Sequence, residues 1–178
     1  MSNYKLISEA LEFYEKYGFK YVDVPWVVDE EISLITKPSG LKDFPFKDKV
    51  LVASGEQSFL QMIKNGKLEP GKYSCVTPCF RDETIFSEYT KQYFTKVELI
   101  NTEETNDFAL WDMIWGCLKF FNINGVIATT VETNEGIDIL ANNVEIGSYG
   151  IRNHEKVGSW IYGTGLAEPR FSAVLGLY

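Results

Sequence analysis

The chain has 178 residues, 45% hydrophobic and 15% aromatic, a globular composition that excludes an intrinsically disordered protein. Its 17 basic and 25 acidic residues give a formal charge of −8, which argues against a surface built throughout to bind nucleic acid, so we expect no DNA partner. The only histidine is His154, which removes most histidine-based metal sites and the serine–histidine–aspartate triad from consideration.

The first half of the chain alternates helical and strand patterns. In chain order these patterns predict a helix over residues 4–17, a strand over 19–25, a loop with at most a short helix over 29–49, a strand over 50–54 and a short helix over 56–64. Gly18 fits the stop of the first helix and Pro25 the end of the first strand.

The second half is predicted to contain more strand than helix. In chain order we expect a hairpin with strands over 72–83 and 92–101, a helix over 104–121, strands over 125–132, 142–152 and 159–165, and a last helix over 168–178. Short connections between strands favour antiparallel pairing. The predicted fold class is therefore α+β, a mainly antiparallel β-sheet flanked by helices, in a single domain over 1–178.

Two side-chain patterns refine these predictions. In the second hairpin strand, Phe94, Lys96 and Glu98 alternate with Tyr93, Thr95 and Val97, so each set of three shares one face of the strand. In the helix over 104–121, large apolar residues recur on one stripe, which we expect to face the core. The residues of that stripe are Phe108, Trp111, Ile114, Trp115, Leu118 and Phe121.

The lengths of the apolar runs and the number of cysteines indicate where in the cell the protein is located. No run of 18 apolar residues predicts a membrane span, and the N-terminus lacks the pattern of a secretory signal. An odd count of cysteines, Cys75, Cys79 and Cys117, is typical of reduced thiols. We expect a cytoplasmic protein without membrane association, with cysteines in the core rather than at a zinc site.

Three separated stretches carry the residues that indicate a function. "YGFKYVDVPWVV" (17–28) contains a glycine, an alternating apolar strand and a proline. The hairpin "TPCFRDETIFSEYTKQYFTKVEL" (77–99) carries Arg81 and Glu83 at the end of its first strand, and "GTGLAEPRFSAVL" (163–175) places glycines before Arg170. In this order, the three stretches resemble the three signature motifs of class II aminoacyl-tRNA synthetases.

Within that family the sequence is most similar to the seryl type. "TPCFRDE", "FTKVELI" and "GTGLAEPR" resemble its phrases, and "VASGEQSF" places Ser54 and Glu56 where it has a Thr-x-Glu loop. "VEIGS" (144–148) resembles both the seryl and the aspartyl types. One departure is Tyr162, which stands where the seryl type has an asparagine, and a phenol there changes the amino-acid pocket.

The resemblance implies an ATP site on the hairpin. Arg81 would contact the α-phosphate, Glu83 the adenine end, and Phe94 would stack on the base. Arg170 would hold the γ-phosphate and the other face of the adenine. Glu145 and Ser148 match the positions that hold Mg²⁺ beside the phosphates, since a hard cation prefers oxygen ligands.

The resemblance also implies an amino-acid site and a reaction. Ser54, Glu56, Glu98 and Tyr162 match the amino-acid pocket, and the two glutamates match positions that meet the ammonium group. The carboxylate of the amino acid attacks the α-phosphorus, so ATP-dependent formation of an aminoacyl-adenylate needs no general base. Arg81 and Arg170 are then the catalytic residues.

The partners follow from the same resemblance and from the charge. The first motif supplies a two-fold interface in the family, so we expect a homodimer. The stretches beyond the motifs are short, and we expect a stripped catalytic core without an anticodon-binding domain. With 17 basic residues and a short hairpin loop, binding of tRNA by this chain alone is expected to be weak.

Several alternatives stay open at this point. The chain is an activating enzyme whose acceptor is a tRNA, a carrier protein or a small molecule, or it is a catalytically silent paralogue that acts as a regulatory or binding subunit. A third alternative is a module that binds the end of a tRNA without activation. Tyr89, Lys91 and Lys96 would contact the nucleic acid in that case, or else belong to a solvated charged loop.

Overall fold

The computed structural model describes residues 2–38 and 40–177. Met1, Ser39 and Tyr178, which belong to the predicted domain, the predicted loop and the predicted last helix, lie outside the described residues. The helices are α1 (Tyr4–Lys16), α2 (Glu30–Thr36), α3 (Gly55–Lys64), α4 (Asp107–Ile123) and α5 (Arg170–Val174). The strands are β1 (Lys20–Tyr21), β2 (Val27–Val28), β3 (Pro45–Phe46), β4 (Lys49–Leu51), β5 (Lys72–Phe80), β6 (Tyr93–Asn101), β7 (Thr129–Glu132), β8 (Ile137–Ala141), β9 (Val144–His154) and β10 (Gly158–Glu168).

A seven-stranded sheet organises the fold. Its strand order is β1-β5-β6-β10-β9-β8-β7, and a small three-stranded sheet has the order β2-β4-β3. The β1–β5 pair is parallel, whereas the other pairs of the large sheet are antiparallel. The predicted α+β class, with a mainly antiparallel sheet flanked by helices, is confirmed.

The two faces of the large sheet are covered differently. Because side chains alternate along a strand, Leu99 and Ile161 pack on one face in a core with α1, α4 and α5. Their neighbours Ile100 and Trp160 face the other way, into a smaller core with α2, α3 and the small sheet. The second face is only partly covered, and the space left on it holds the candidate site.

The chain turns into and out of its helices at residues suited to those ends. The side chain of Asn3 accepts a hydrogen bond from Leu6 N at the start of α1, and the side chain of Asn106 accepts one from Ala109 N at the start of α4. Gly18 follows α1 with φ +88°, in the left-handed region that favours glycine, as its predicted stop requires. None of the helices within residues 2–38 and 40–177 is long and apolar enough to cross a membrane.

Strand β8 was not predicted, and the strand predicted over 142–152 begins two residues too early. Asn142 and Asn143 have φ of 52° and 62° and form the two-residue turn between β8 and β9. Positive φ at both central residues is the hairpin turn for which asparagine is well suited. Ile137, Ile139 and Ala141 then alternate inward along β8, a pattern too short to stand out in the sequence.

The predicted core stripe of α4 is partly wrong. Phe108 is 89% exposed and Trp115 62% exposed, whereas Met113, Ile114 and Cys117 are buried. The helix is apolar around most of its circumference, so periodicity alone does not decide which face meets the sheet. The predicted burial of the cysteines is confirmed, because Cys75, Cys79 and Cys117 are free thiols in the core.

Candidate functional site

The β5–β6 hairpin holds the first group of predicted site residues. Cys79 pairs with Phe94 near the end of the hairpin, and Arg81 N donates to Gln92 O at 2.9 Å just beyond the strand. The guanidinium of Arg81 then lies 5.1 Å from the centroid of the Phe94 ring, and its Nε donates to Ala53 O at 3.4 Å. The hairpin thus places a cation over an aromatic face at its open end.

Arg170 reaches the same place from the other end of the chain. It is the first residue of α5, separated from β10 by Pro169 alone, and its Nε donates to Tyr89 O at 3.1 Å. Its Nη1 donates to Glu145 O at 3.0 Å and lies 3.5 Å from Glu145 Oε1. Carbonyl oxygens therefore hold most of this guanidinium, which leaves its charge available for an anion.

These residues line one surface depression, which we name the hairpin cleft. Its principal residues are Arg81, Glu83, Tyr89, Phe94 and Arg170. Glu168, in the wall of the cleft, is fully buried and accepts a hydrogen bond from Ser172 Oγ at 2.6 Å. Burial raises the pKa of Glu168 above its ordinary value.

A second cavity of about 200 Å³ lies beside the cleft on the same face of the sheet. We name it the sheet cavity. Its residues come from the start of α3 and from the facing sides of β6, β9 and β10, together with Arg81, Glu135 and four residues at and after the end of α2: Thr36, Lys37, Pro38 and Leu41. They include Ser54, Glu56, Lys96, Glu98, Glu145, Ser148, Arg152, Tyr162 and Thr164. Arg81 lines both spaces, so the cleft and the cavity adjoin at that residue.

A β-bulge brings Glu145 and Ser148 to the cavity together. Ile139 pairs with Gly147 and Leu140 with Glu145, so one extra residue, Ile146, lies between two paired positions of β9. Residues three apart face opposite ways on a regular strand, and the extra residue restores them to one side. Both predicted metal-binding residues consequently line the sheet cavity.

A second bulge shapes the strand that leads to Arg170. Thr164 pairs with Glu98 and Leu166 with Val97, which leaves Gly165 as the extra residue of β10. Tyr14, from α1 on the opposite face, donates from its hydroxyl to Gly165 O at 2.7 Å. A Cβ atom at Gly165 would lie 2.7 Å from Tyr14 Cε2, so this close approach requires glycine.

Glu98 and Lys96 form a buried pair in the cavity. Glu98 is 5% exposed, and its Oε2 accepts from Glu56 N at 3.0 Å. Its Oε1 lies 3.1 Å from Lys96 Nζ, but within residues 2–38 and 40–177 it accepts no hydrogen bond of good geometry. The side chain of Lys96 is only 14% exposed and donates to Thr164 Oγ1 at 3.2 Å. The alternative that Lys96 belongs to a solvated loop is therefore wrong.

Glu56 already has partners for both of its oxygens. Arg152 Nη1 donates to Oε2 at 2.7 Å and Trp160 Nε1 donates to Oε1 at 2.7 Å. Burial raises the pKa of Glu56, although Arg152 and the indole N–H act in the opposite direction. Ser54, at the N-cap of α3, makes no capping hydrogen bond with its side chain and lines the same cavity.

Tyr162 forms a flat wall beneath Arg152. Its ring lies against β9 at Gly150, where a Cβ atom would come within 2.8 Å of the ring. The Arg152 guanidinium carbon lies 4.1 Å from the ring centroid, and the Tyr162 hydroxyl donates to Glu135 O at 3.1 Å. A cation at this distance from an aromatic face is attracted by the ring.

The structure thus collects every predicted site residue into two adjoining spaces. Arg81, Glu83, Phe94 and Arg170 line the cleft, and the remaining predicted residues line the cavity. Arg152 is an additional cavity residue that sequence reasoning did not assign. Lys96, which was predicted only as a contact to nucleic acid or as part of a charged loop, also lines the cavity. The signal for Arg152 was present, because it is one of only three arginines in the chain, and the other two were already assigned.

The donor set near Glu145 suits a cation that arrives with phosphate. The described residues contain no group of three or more His, Cys, Asp or Glu side chains that could hold a metal ion by themselves. Glu145 and Ser148 offer two oxygen donors, and the Glu145 carboxylate is only loosely engaged, with 3.5 Å between Oε1 and Arg170 Nη1. This fits Mg²⁺, which is usually bound by few protein oxygens together with substrate phosphates.

Comparison with solved structures identifies the fold. A pyrrolysyl-tRNA synthetase from Desulfitobacterium hafniense is similar with a TM-score of 0.73 and 15% identity, over 97% of this chain and 68% of that one. A cytoplasmic serine-tRNA ligase from Naegleria fowleri, in complex with AMP, is similar with a TM-score of 0.75 and 18% identity, over 93% of this chain and 46% of that one. No protein-family model and no curated protein matches the sequence. The chain has the fold of a class II synthetase catalytic core, as the motifs predicted.

Proposed function

We propose that the chain activates an amino acid with ATP, forming an aminoacyl-adenylate and pyrophosphate as a single catalytic domain. The observation that carries the proposal is that the hairpin cleft and the sheet cavity adjoin at Arg81, which lines both. A nucleotide in the cleft would have its α-phosphate at the boundary, where an amino acid in the cavity can reach it. Such positioning of two reactants accounts for a large part of the rate of group transfer.

In this proposal the hairpin cleft binds ATP. Arg81 contacts the α-phosphate and Arg170 the γ-phosphate. Phe94 stacks on the adenine, and the amino group of the adenine donates a hydrogen bond to Glu83. The planar guanidinium is suited to phosphate because it donates two parallel hydrogen bonds. The AMP bound to the similar serine-tRNA ligase supports a nucleotide on this fold.

Glu145 and Ser148 would hold Mg²⁺ that accompanies the phosphates. When bound, the ion neutralises phosphate charge and thereby assists departure of pyrophosphate. Arg170 holds both the backbone oxygen and, more weakly, the side chain of Glu145, at 3.0 and 3.5 Å. It thereby keeps the carboxylate at the junction of the cleft and the cavity.

Glu98 is the group that we assign to the ammonium of the amino acid. Its buried Oε1 lies 3.1 Å from Lys96 Nζ but accepts no well-formed hydrogen bond among the described residues, so a substrate ammonium would complete its hydrogen bonding. Glu56 was predicted to share this role, but Arg152 and Trp160 occupy its oxygens. We therefore assign the ammonium to Glu98 and treat Glu56 as part of the side-chain end of the cavity.

The reaction then needs orientation and charge stabilisation. A carboxylate oxygen of the amino acid forms a bond to the α-phosphorus, while the bond from that phosphorus to the bridging oxygen of pyrophosphate breaks. No proton moves, because the nucleophile is already ionised. Arg81 stabilises the negative charge on the phosphoryl oxygens as the bond order changes.

A pyrophosphate-exchange assay over the twenty amino acids, with ATP and Mg²⁺, tests the proposal. We expect exchange that depends on one amino acid or a small group of them. Calorimetry that detects no ATP binding at millimolar concentration would overturn the proposed function.

The second candidate is a binding subunit without activation. It is favoured by one observation: Glu56 is already paired with Arg152 and hydrogen-bonded to Trp160, so its charge is offset before a substrate ammonium arrives. The pyrophosphate-exchange assay distinguishes the two candidates. A silent subunit binds ATP or the amino acid but shows no exchange.

We propose an acceptor that does not depend on extended contacts with tRNA by this chain. The 17 basic residues are outnumbered by 25 acidic ones, and each phosphate contact requires a cation. Filter binding against total tRNA at about 0.15 M salt is expected to show weak, unselective retention. Retention of a single tRNA with submicromolar affinity would instead identify that tRNA as the acceptor.

We also propose a homodimer through the region of the first motif. Trp26 is 55% exposed and Tyr21, on the short edge strand β1, is 48% exposed. An edge strand with an exposed aromatic side chain, followed closely by a second one, is suited to pairing with a second copy. Light scattering at micromolar concentration is expected to give about twice the chain mass of 20.3 kDa, and a stable monomer would contradict the proposal.

A further inference from the structure

The side-chain end of the sheet cavity is built around one ion pair. Arg152 Nη1 and Glu56 Oε2 are 2.7 Å apart, and the guanidinium rests 4.1 Å from the centroid of the Tyr162 ring. Trp160 fixes the carboxylate from the other side at 2.7 Å. Arg152 and Glu56 both line the cavity, so a donor and an acceptor stand side by side in its wall.

This pair has unused hydrogen-bonding capacity but no net charge. A guanidinium has five N–H donors, and within the described residues Glu56 is the one acceptor that Arg152 reaches. Each Glu56 oxygen has two lone pairs and accepts one hydrogen bond. The wall can therefore donate to and accept from a substrate without contributing charge.

We propose that the Arg152–Glu56 pair determines specificity, and that it selects an amino acid with an uncharged polar side chain, a carboxamide or a hydroxyl. This inference rests on the proposed function. A carboxamide is the fullest match, because its carbonyl accepts from Arg152 while its amino group donates to Glu56. A hydroxyl donates and accepts through one atom and matches the pair less completely.

Charged side chains fit this wall poorly. An acidic side chain would share one guanidinium with Glu56, and Glu135 adds a further negative charge to the cavity lining. A basic side chain placed against the pair would meet the guanidinium of Arg152, and the carboxylate of Glu56 is already paired with that guanidinium at 2.7 Å. Against the pair, an ion of either sign loses water without gaining a counter-ion of its own, which is unfavourable. Apolar side chains leave the wall's donors without partners.

The first test measures the preference of the unchanged protein. Pyrophosphate exchange is measured with each of the twenty amino acids, and their binding is measured by calorimetry with a non-hydrolysable ATP analogue present. We expect asparagine, glutamine, serine or threonine to exceed aspartate, glutamate, lysine and arginine by about a hundredfold in kcat/KM. Binding affinities are expected to follow the same order.

The second test separates the two charges. In Arg152→Met, Glu56 keeps its carboxylate without a guanidinium, so we expect the preference to move toward lysine. In Glu56→Gln, Arg152 is left without its counter-ion, and we expect a move toward aspartate or glutamate. Each change in relative preference is expected to be about tenfold or more. Arg152→Lys keeps the charge and is expected to keep the preference for uncharged side chains.

A matched surface pair provides the controls. Lys5 and Glu9 lie 3.7 Å apart on the exposed side of α1, and Lys5→Met and Glu9→Gln are expected to leave the preference order unchanged. Affinity for ATP, measured on every variant, shows that the fold and the hairpin cleft persist.

The outcomes distinguish the inference from the proposed function. An unchanged protein that binds no ATP overturns the proposed function itself. ATP binding with a preference for charged or apolar amino acids overturns the inference alone, and so does an unchanged preference order in Arg152→Met together with Glu56→Gln.

Discussion

The hairpin cleft and the sheet cavity use the same kinds of charged residue but hold them in opposite ways. In the cleft, Arg81 and Arg170 donate mainly to backbone carbonyl oxygens, at 3.0 to 3.4 Å. In the cavity, Arg152 and Lys96 are paired with carboxylates at 2.7 and 3.1 Å. The cleft therefore keeps positive charge available for an anion, whereas the cations of the cavity are already paired with carboxylates.

Arg81→Ala tests the cleft at the residue shared with the cavity, and we expect the largest effect there. Loss of a charge-assisted contact to the α-phosphate should reduce pyrophosphate exchange on the order of a thousandfold. The fold should persist, since Arg81 is half-buried and its side chain makes one long hydrogen bond, at 3.4 Å. Exchange kinetics and circular dichroism measure the two effects.

Lys5→Ala, on the exposed side of α1, serves as the control for removal of a positive charge. If Arg81→Ala retains exchange within a few-fold of the unchanged protein, the cleft does not act on the reacting phosphate.

Glu98→Gln tests whether the Glu98 carboxylate binds the ammonium group of the amino acid. The amide keeps the shape of the side chain but removes the negative charge, so we expect KM for the amino acid to rise roughly a hundredfold. Affinity for ATP should change little, because Glu98 does not line the cleft. An equal loss in ATP affinity would show instead that the cavity and the cleft collapse together.

Phe94→Ala compares apolar contact with charge inside the cleft. Removing an aromatic surface on which a base stacks should weaken ATP binding by about tenfold, measured by calorimetry. Phe94→Leu retains apolar volume without the flat ring, so its affinity for ATP should lie between those of Phe94→Ala and the unchanged protein. Unchanged affinity in Phe94→Ala would place the base elsewhere, for example beyond the Arg81 guanidinium that covers this ring at 5.1 Å.

Glu168→Gln gives the smallest effect and concerns the wall of the cleft. Burial raises the pKa of Glu168 above its ordinary value of 4.5, so the folded protein favours the neutral acid. The contribution of Glu168 to stability is therefore present below pH 4.5 and is lost as the pH rises through the raised value. Glutamine cannot ionise, so the melting temperature of the variant relative to the unchanged protein should increase with pH above about 4.5.

A variant whose melting temperature follows that of the unchanged protein at every pH would show that Glu168 remains ionised in the fold. Its Oε2 is buried and has no hydrogen-bond partner within the described residues, and a neutral acid is less costly at such a place than a carboxylate.

The cleft could be predicted from the sequence because its residues lie beside fixed marks in the chain. Arg81 follows a strand of regular alternation, and Arg170 is separated from the last strand by Pro169 alone. Phe94 and Glu98 share a face by simple counting, and the same counting placed Lys96 with them. The hairpin was therefore predicted nearly to its ends, over 72–83 and 92–101 against Lys72–Phe80 and Tyr93–Asn101.

The cavity wall could not be predicted, because it depends on how distant strands are aligned. Arg152 meets Tyr162 only through the register that places Tyr162 opposite Gly150, and no local pattern specifies that register. The bulge at Ile146 makes simple alternation misleading for Glu145 and Ser148. Similarly, α4 is apolar on nearly all sides, so the exposure of Trp115 depended on the docking of the helix.

The contact between Tyr14 and Gly165 links the face of the sheet that α1 covers to the partly covered face that holds the site. The 2.7 Å hydrogen bond and the tight packing of the ring leave α1 no free travel relative to β10 at this point. Any displacement of α1 must carry the bulge with it or break the bond, and β10 carries both Tyr162 and the approach to Arg170. The helix α1 thus supports the site from behind. Substitutions that change its packing should alter ligand affinity as well as the melting temperature.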